Sequence, residues 1–132
     1  MNRIEAVVSD ILEHEGVCRI LFDAGGHTLA MVGLEPPAGL AKGAKAVLGV
    51  KATHILLALK PPRNTTLANA LPVTVESIET GKVMATVSLR FGDTPLEAIL
   101  SAAALRPLKL QEGDSAWALF MESELAVLEM KP

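Results

Sequence analysis

The chain is poor in aromatic residues: it has no tyrosine, three phenylalanines and one tryptophan among 132 residues. Proteins that bind single-stranded nucleic acid commonly stack the bases on exposed aromatic side chains, so this composition disfavours that class. The net charge of −3 also gives no basic surface for a phosphate backbone. Nucleic acid is therefore not expected as a partner, and aliphatic side chains must build the core.

Cysteine is nearly absent as well, with Cys18 as the single instance. One cysteine forms neither an intramolecular disulfide nor a cysteine-rich metal site. Its position in an alternating apolar run predicts a buried small side chain. No apolar run reaches the roughly 18 residues of a membrane-spanning helix, and the first residues do not resemble a signal peptide. We expect a cytoplasmic protein without membrane insertion.

Signatures of catalysis are also missing. His14, His27 and His54 are widely spaced, and no pair of them has metal-ligand spacing. The sequence holds no Gly-x-Ser-x-Gly motif, no plausible nucleophile–base set and no supported pair of carboxylates. Gly25-Gly26 lacks the features of a phosphate-binding loop and predicts a hairpin turn instead. The protein is therefore not expected to be an enzyme.

Apolar residues are abundant: half of the chain is hydrophobic and only 20% is charged. Such a chain must bury much of its surface and is not disordered. Apolar and polar residues alternate with a period of two, as at Ile4, Ala6 and Val8, which predicts β-strands. A short helix is expected at residues 101–105, just before Pro107.

The sequence contains an internal repeat. Residues 2–11 align with residues 69–78 at an offset of 67, and later in each copy the offset becomes 70, where Thr53 aligns with Ser123. An insertion of three residues near positions 101–109 accounts for the change. Identity between the copies is low, but the aligned positions keep their order over the whole length. The chain is therefore predicted to contain two similar units.

The two copies are joined by a proline-rich segment. Pro61 and Pro62 fix the backbone and remove two donors, which predicts a stiff extended linker. We therefore predict a first domain at residues 1–60, a linker at 61–65 and a second domain at 66–132. Five short strands per copy are best buried by closing the sheet, because closure removes exposed edges. The predicted fold is all-β: two tandem five-stranded OB-like barrels with a short helix.

Several short motifs follow one another along the two copies. They are an Asn-x-Ile/Leu-x-x-x-Val-x-x-Ile opening, a Gly-x-Val strand, a Gly-Gly hairpin, and Leu-x-x-Gly before a strand that ends in Lys-Ala-Ser/Thr. The most specific stretch is residues 50–58, Val-Lys-Ala-Thr-His-Ile-Leu-Leu-Ala. This pattern resembles the Mop domain of the TOBE group, and its duplication resembles a tandem di-Mop molbindin.

The resemblance implies non-enzymatic binding of molybdate or tungstate for storage, buffering or homeostasis. It places the sites where barrels or subunits meet, in a homo-oligomer that is expected to be a trimer. In the family, a Ser-Ala-Arg-Asn segment that opens a barrel and a Lys-Ala-Ser/Thr segment that closes one contribute to the sites. The candidate oxyanion-binding residues are Lys51, Ala52 and Thr53 in the full closing motif, Asn2 and Asn69 at the opening asparagine, Thr66 at the opening serine, and Ser123 in the second closing segment.

The chain departs from this pattern mainly in the second copy. Met121 and Glu122 replace the lysine and alanine of the closing motif, and Met1 and Ala68 stand at the position of the arginine. A tetrahedral dianion needs converging hydrogen-bond donors and positive charge. A carboxylate at about 4 Å would oppose it by roughly 1–4 kcal/mol, depending on the effective dielectric. We therefore expect the surviving site to lie at residues 51–53.

Other interpretations of the same residues stay open. Asn2 and Asn69 are as well explained by local backbone hydrogen bonds at the start of a strand. Lys51 can equally be a solvated lysine, and Thr53 an ordinary strand residue. The alternative function is a TOBE-type interaction or sensory module of a molybdate transport or regulation system, with little or no anion binding of its own.

Overall fold

Ten strands account for most of the secondary structure. A computed structural model describes residues 1–131 and places the strands in two curled five-stranded sheets. The strands are β1 Asn2–His14, β2 Val17–Ala24, β3 His27–Leu34, β4 Lys45–Val50, β5 Leu56–Ala58, β6 Asn69–Thr80, β7 Met84–Phe91, β8 Thr94–Ser101, β9 Ser115–Phe120 and β10 Ala126–Lys131. The prediction of two tandem five-stranded OB-like barrels is confirmed.

Helical structure is limited to short segments between strands. The predicted short helix is present at Ala102–Leu105, and the Ser101 hydroxyl caps it by accepting a hydrogen bond from Ala104 N at 3.1 Å. Three single turns of 3₁₀ helix lie at Ala52–His54, Arg106–Leu108 and Glu122–Glu124. Within residues 1–131, none of these helices has the length and apolar character to cross a membrane.

The two sheets have the same strand order but exchange their last strand. The first sheet runs β10-β4-β1-β2-β3 and the second runs β5-β9-β6-β7-β8. Strand β5 of the first half pairs with β9, and β10 of the second half pairs with β4. The predicted division into residues 1–60, 61–65 and 66–132 thus describes the repeat in the sequence, whereas each sheet contains strands from both halves.

The exchange has a local cause in the 3₁₀ turns. The chain forms a turn at Ala52–His54, directly after β4, and resumes as a strand only at Leu56. That turn carries the chain away from the first sheet toward the second. The turn at Glu122–Glu124 does the same in the opposite direction, before β10.

The alternation of apolar residues places one face of each sheet in the core. Ile4, Ala6 and Val8 of β1 are buried, and the equivalent residues of β6, Leu71, Val73 and Val75, are buried in the same way. Cys18 is 1% exposed, which confirms the prediction of a buried small side chain. The buried residues of both sheets form one continuous hydrophobic cluster, so the two barrels share a core.

The strand exchange predicts that the halves stay associated after the linker is cut. A protease site inserted between Arg63 and Asn64 lies in an exposed segment. After cleavage, the two fragments should elute together in gel filtration and separate only in denaturant, because each sheet keeps a strand from both fragments. Separation of the fragments in native buffer would contradict the exchanged arrangement.

Candidate functional site

Two asparagines at equivalent positions of the repeat join the barrels. Asn2 donates through Nδ2 to the Glu97 carbonyl at 2.9 Å, and its Oδ1 accepts from Glu97 N at 2.8 Å. Asn69 forms the same two bonds with Ala30, at 2.9 and 2.7 Å. Residues 30 and 97 are also equivalent in the repeat, at the offset of 67. The two contacts are therefore related by an approximate two-fold axis, and each side-chain amide pairs with a strand as a peptide group would.

These contacts correct one interpretation of the sequence. A local hydrogen bond at the start of the strand is one interpretation of Asn2 and Asn69 from the sequence, but their partners lie 95 and 39 residues away. Both asparagines are buried, at 7% and 0% exposure. A buried amide needs hydrogen-bond partners, and each of these finds them in the other half. A role in binding an oxyanion stays a prediction for both residues.

The Lys-Ala-Thr motif lies beside the first of these asparagines. Strand β4 ends at Val50, which pairs with Asn2 of β1. Lys51 follows in an extended conformation and caps the 3₁₀ turn, and its carbonyl accepts from His54 N at 2.9 Å. The Lys51 side chain is exposed and makes no ion pair with any group in residues 1–131. Its positive charge is therefore available to a ligand.

An open cleft of about 400 Å³ lies next to this motif. Met1, Asn2, Ala52 and Glu97 line it, together with residues of β6, β7 and β8 that include Glu76, Ser88 and Pro95. Glu76 forms an ion pair with Arg90, which offsets its negative charge. Thr53 is exposed next to Ala52 and can offer its hydroxyl. Lys51 and Thr53 flank Ala52 in the chain, while the charged residues of the lining itself are the carboxylates Glu76 and Glu97.

The second closing segment has the same geometry and the opposite charge. Phe120 pairs with Asn69, and Met121 then caps the turn Glu122–Glu124. Glu122 Oε1 lies 2.6 Å from Arg19 Nε. The second half therefore places a paired carboxylate where the first half has Ala52.

The two turns also meet each other. His54 Nδ1 lies 2.7 Å from Glu124 Oε2, and both side chains are about one-third exposed. The carboxylate oxygen lies off the ring N–H direction, so the contact is electrostatic and Nδ1 has no aligned hydrogen bond. Residues 54 and 124 are equivalent at the offset of 70, so this pair marks the approximate two-fold axis.

The remaining candidate residues lie apart from Lys51. Thr66 is exposed in the segment between β5 and β6, where Thr65 Oγ1 accepts from Leu67 N at 3.2 Å. Ser123 is exposed on the second turn. Within one chain, the structure brings Asn2 and Ala52 to one cleft, and Asn69 and Ser123 belong to the other half. Thr66 and Ser123 stay predictions as ligands.

Sequence reasoning missed two residues of this region, Arg19 and Glu124. Nothing in the sequence links Arg19 to a partner 103 residues away. The repeat did contain a signal for the other pair, since His54 and Glu124 occupy equivalent positions with complementary chemistry. Residues near a two-fold axis contact their own equivalents, so such pairs can be sought in any duplicated sequence.

A larger cleft, of about 700 Å³, lies on the first sheet and is lined by residues of β1, β2, β4 and β10. Its charged lining consists of Glu5, Asp23, Glu129, Lys45 and Lys131, so carboxylates outnumber lysines. One of the two lysines is already engaged, because Lys131 Nζ donates a hydrogen bond to Glu5 Oε1 at 2.9 Å. This hydrogen bond lowers the pKa of Glu5. The choice between the clefts rests on the Lys-Ala-Thr motif, since Ala52 lines the smaller cleft and none of residues 51–53 lines the larger one.

Comparison with known proteins points to one family. A family model described as the TOBE domain matches residues 65–127. The chain is also similar to the solved structure of the cytoplasmic molybdate-binding protein ModG with molybdate bound, with a TM-score of 0.87 and 30% identity over 96% of this chain and 94% of that chain. No curated protein matches the chain in sequence.

The paired asparagines predict unequal losses of stability. Asn69→Ala leaves a buried N–H and a buried C=O of Ala30 without partners, which should lower the free energy of unfolding by about 2–4 kcal/mol. Asn2→Ala should cost less, because its bonds to Glu97 are only partly buried and water can replace them. Denaturant unfolding measures both. An Asn69→Ala variant as stable as Asn2→Ala would contradict this account.

Proposed function

This chain belongs to the TOBE domain family, and from that premise we propose that it binds molybdate or tungstate in the cytoplasm without catalysing a reaction. The observation that carries the proposal is the similarity to molybdate-bound ModG, at 30% identity over 96% of the chain. That similarity covers both halves and so includes the region of the Lys-Ala-Thr motif. The proposed role is storage, buffering or homeostasis of the oxyanion.

The chemistry of residues 51–53 supports this ligand class. Lys51 supplies an unpaired positive charge, Thr53 a hydroxyl donor, and the start of the 3₁₀ turn further backbone N–H groups. Ala52 is small and lines the cleft, so it leaves room for a ligand there. Asn2 fixes the position of this strand end against β8. A tetrahedral dianion is the kind of ligand that such converging donors suit.

We further propose that a partner subunit completes the site in a homo-oligomer, which we expect to be a trimer. Residues 51–53 offer one cation, Lys51, whereas a dianion needs donors on several sides. Thr66 is exposed and could contribute from a neighbouring copy. Met1, Leu12 and Leu34 are 67%, 68% and 76% exposed, and apolar side chains of this kind favour association.

The oligomer is tested by sedimentation. At micromolar concentration, the protein should sediment as a species well above the 13.9 kDa of one chain. Sedimentation as a single species of monomer mass would contradict the proposal that a second copy completes the site.

The second candidate function is an interaction or sensory module with little anion binding. The observation that favours it is the replacement of the closing motif by Met121 and Glu122, together with Ala68 and Met1 at the arginine positions. A chain with this function would keep the barrels and dock on a transporter or regulator. Titration of the anion-free protein separates the two functions, because only the first requires a saturable site.

Lys51 is the residue on which the proposed site depends most. Lys51→Met removes a charge-assisted interaction of about 1.5–3 kcal/mol, so the molybdate affinity should fall roughly 10- to 150-fold. Lys82→Met is the matched control, because Lys82 is exposed in the β6–β7 turn and its loss changes the net charge equally. Calorimetry at fixed ionic strength measures both, since salt screens part of the effect. Equal affinities for the two variants would place the site elsewhere.

A further inference from the structure

We propose that the second half of the chain contains a closed counterpart of the oxyanion site, in which the Glu122 carboxylate held by Arg19 takes the place of the anion. This inference rests on the proposed function, because it assumes that the segment at Lys51 binds an oxyanion. The inference adds a second location for oxyanion binding, in the second half of the chain, and identifies Glu122 as the residue that blocks it.

The first support is the equivalence of the two locations. The turn at Glu122–Glu124 follows β9 as the turn at Ala52–His54 follows β4, and each lies next to a buried asparagine at the start of a long strand. The first turn contacts β8 and the second contacts β3, which is the equivalent strand of the other sheet. The turns that carry Ala52 and Glu122 thus have equivalent strands as neighbours.

The second support is that the two halves differ by a matched pair of residues. Alanine at position 52 becomes glutamate at 122, and Thr86 in the second half corresponds to Arg19 in the first. Arg19 of β2 lies opposite Val32 of β3, the strand that the second turn contacts. The carboxylate and the guanidinium are 2.6 Å apart, although 103 residues separate them in the chain. Arg19 and Glu122 therefore lie together at the second location, whereas the first location has Thr86 and Ala52 at the equivalent positions.

The chemistry explains why this pair closes the location. A guanidinium binds carboxylates and tetrahedral oxyanions through the same N–H donors. A carboxylate in the same chain is present at a high effective concentration, so a dilute anion competes poorly for Arg19. The Glu122 side chain is also only 24% exposed, so an anion that displaced it would remain close to its negative charge. Removal of this carboxylate both frees Arg19 and ends the repulsion.

The test is the number of molybdate ions bound per chain. Glu122→Ala gives the second location the residue that the first has at position 52. Calorimetric titration should then show a gain toward one additional equivalent per chain relative to wild type. In a Glu122→Ala/Arg19→Met double variant, the additional site should weaken at least about tenfold, since its charged donor is gone.

Glu129→Ala is the matched control. It removes the same charge and frees Arg3, whose Nη2 lies 3.8 Å from the Glu129 carboxylate in an exposed pair. Its molybdate stoichiometry should equal that of wild type. A gain in this control would mean that any freed arginine binds the anion, and it would overturn the assignment to the second turn.

The possible outcomes separate the inference from the proposed function. If wild type binds molybdate and Glu122→Ala binds no more, the inference is overturned and the function stands. If only Glu122→Ala binds, the location at Lys51 is not a site, so the proposed function of Lys51 and the inference of a closed counterpart to it are both overturned. If neither binds, both are overturned. Circular dichroism checks that the variants are folded, and Glu122→Ser, which also removes the carboxylate and shortens the side chain, provides the same test if Glu122→Ala does not fold.

Discussion

Neither sheet of this protein is complete without a strand from the other half of the chain. Strands β5 and β10 cross between the sheets, and the exchange places the two 3₁₀ turns against each other at the approximate two-fold axis. Strand edges that would otherwise be open are covered in this way. The position of every candidate ligand follows from this exchange, because the turns that carry Lys51 and Glu122 are the segments through which the chain crosses.

The two halves share one strand order but differ in the charged residues of their turns. The buried asparagines keep the same role in both halves, since a buried amide must find partners wherever the strands begin. The exposed turns have diverged, with an unpaired lysine at one and paired carboxylates at the other. Packing constrains the residues of the core, whereas the residues of the turns can change charge without disturbing it. The proposed function depends on the difference in charge between the two turns.

The sequence predicted the fold well because its strongest signals are local. The alternation at Ile4, Ala6 and Val8 and the short helix before Pro107 required no knowledge of the other half, and the repeat doubled the evidence for each strand. It could not predict which sheet residues 56–58 join, because three apolar residues suit either edge equally well. The partners of Asn2, Asn69 and Arg19 were missed for the same reason, since they are backbone or charged groups far away in the chain.

The central claim is that the first closing segment binds an oxyanion and the second does not. Crystals grown with molybdate, with diffraction recorded at the molybdenum absorption edge, test it most directly. An anomalous peak is expected within hydrogen-bonding distance of Lys51 Nζ and the backbone of residues 52–53, with none beside Arg19 and Glu122. A peak beside Glu122, or none near Lys51 in crystals that contain molybdate elsewhere, would contradict it.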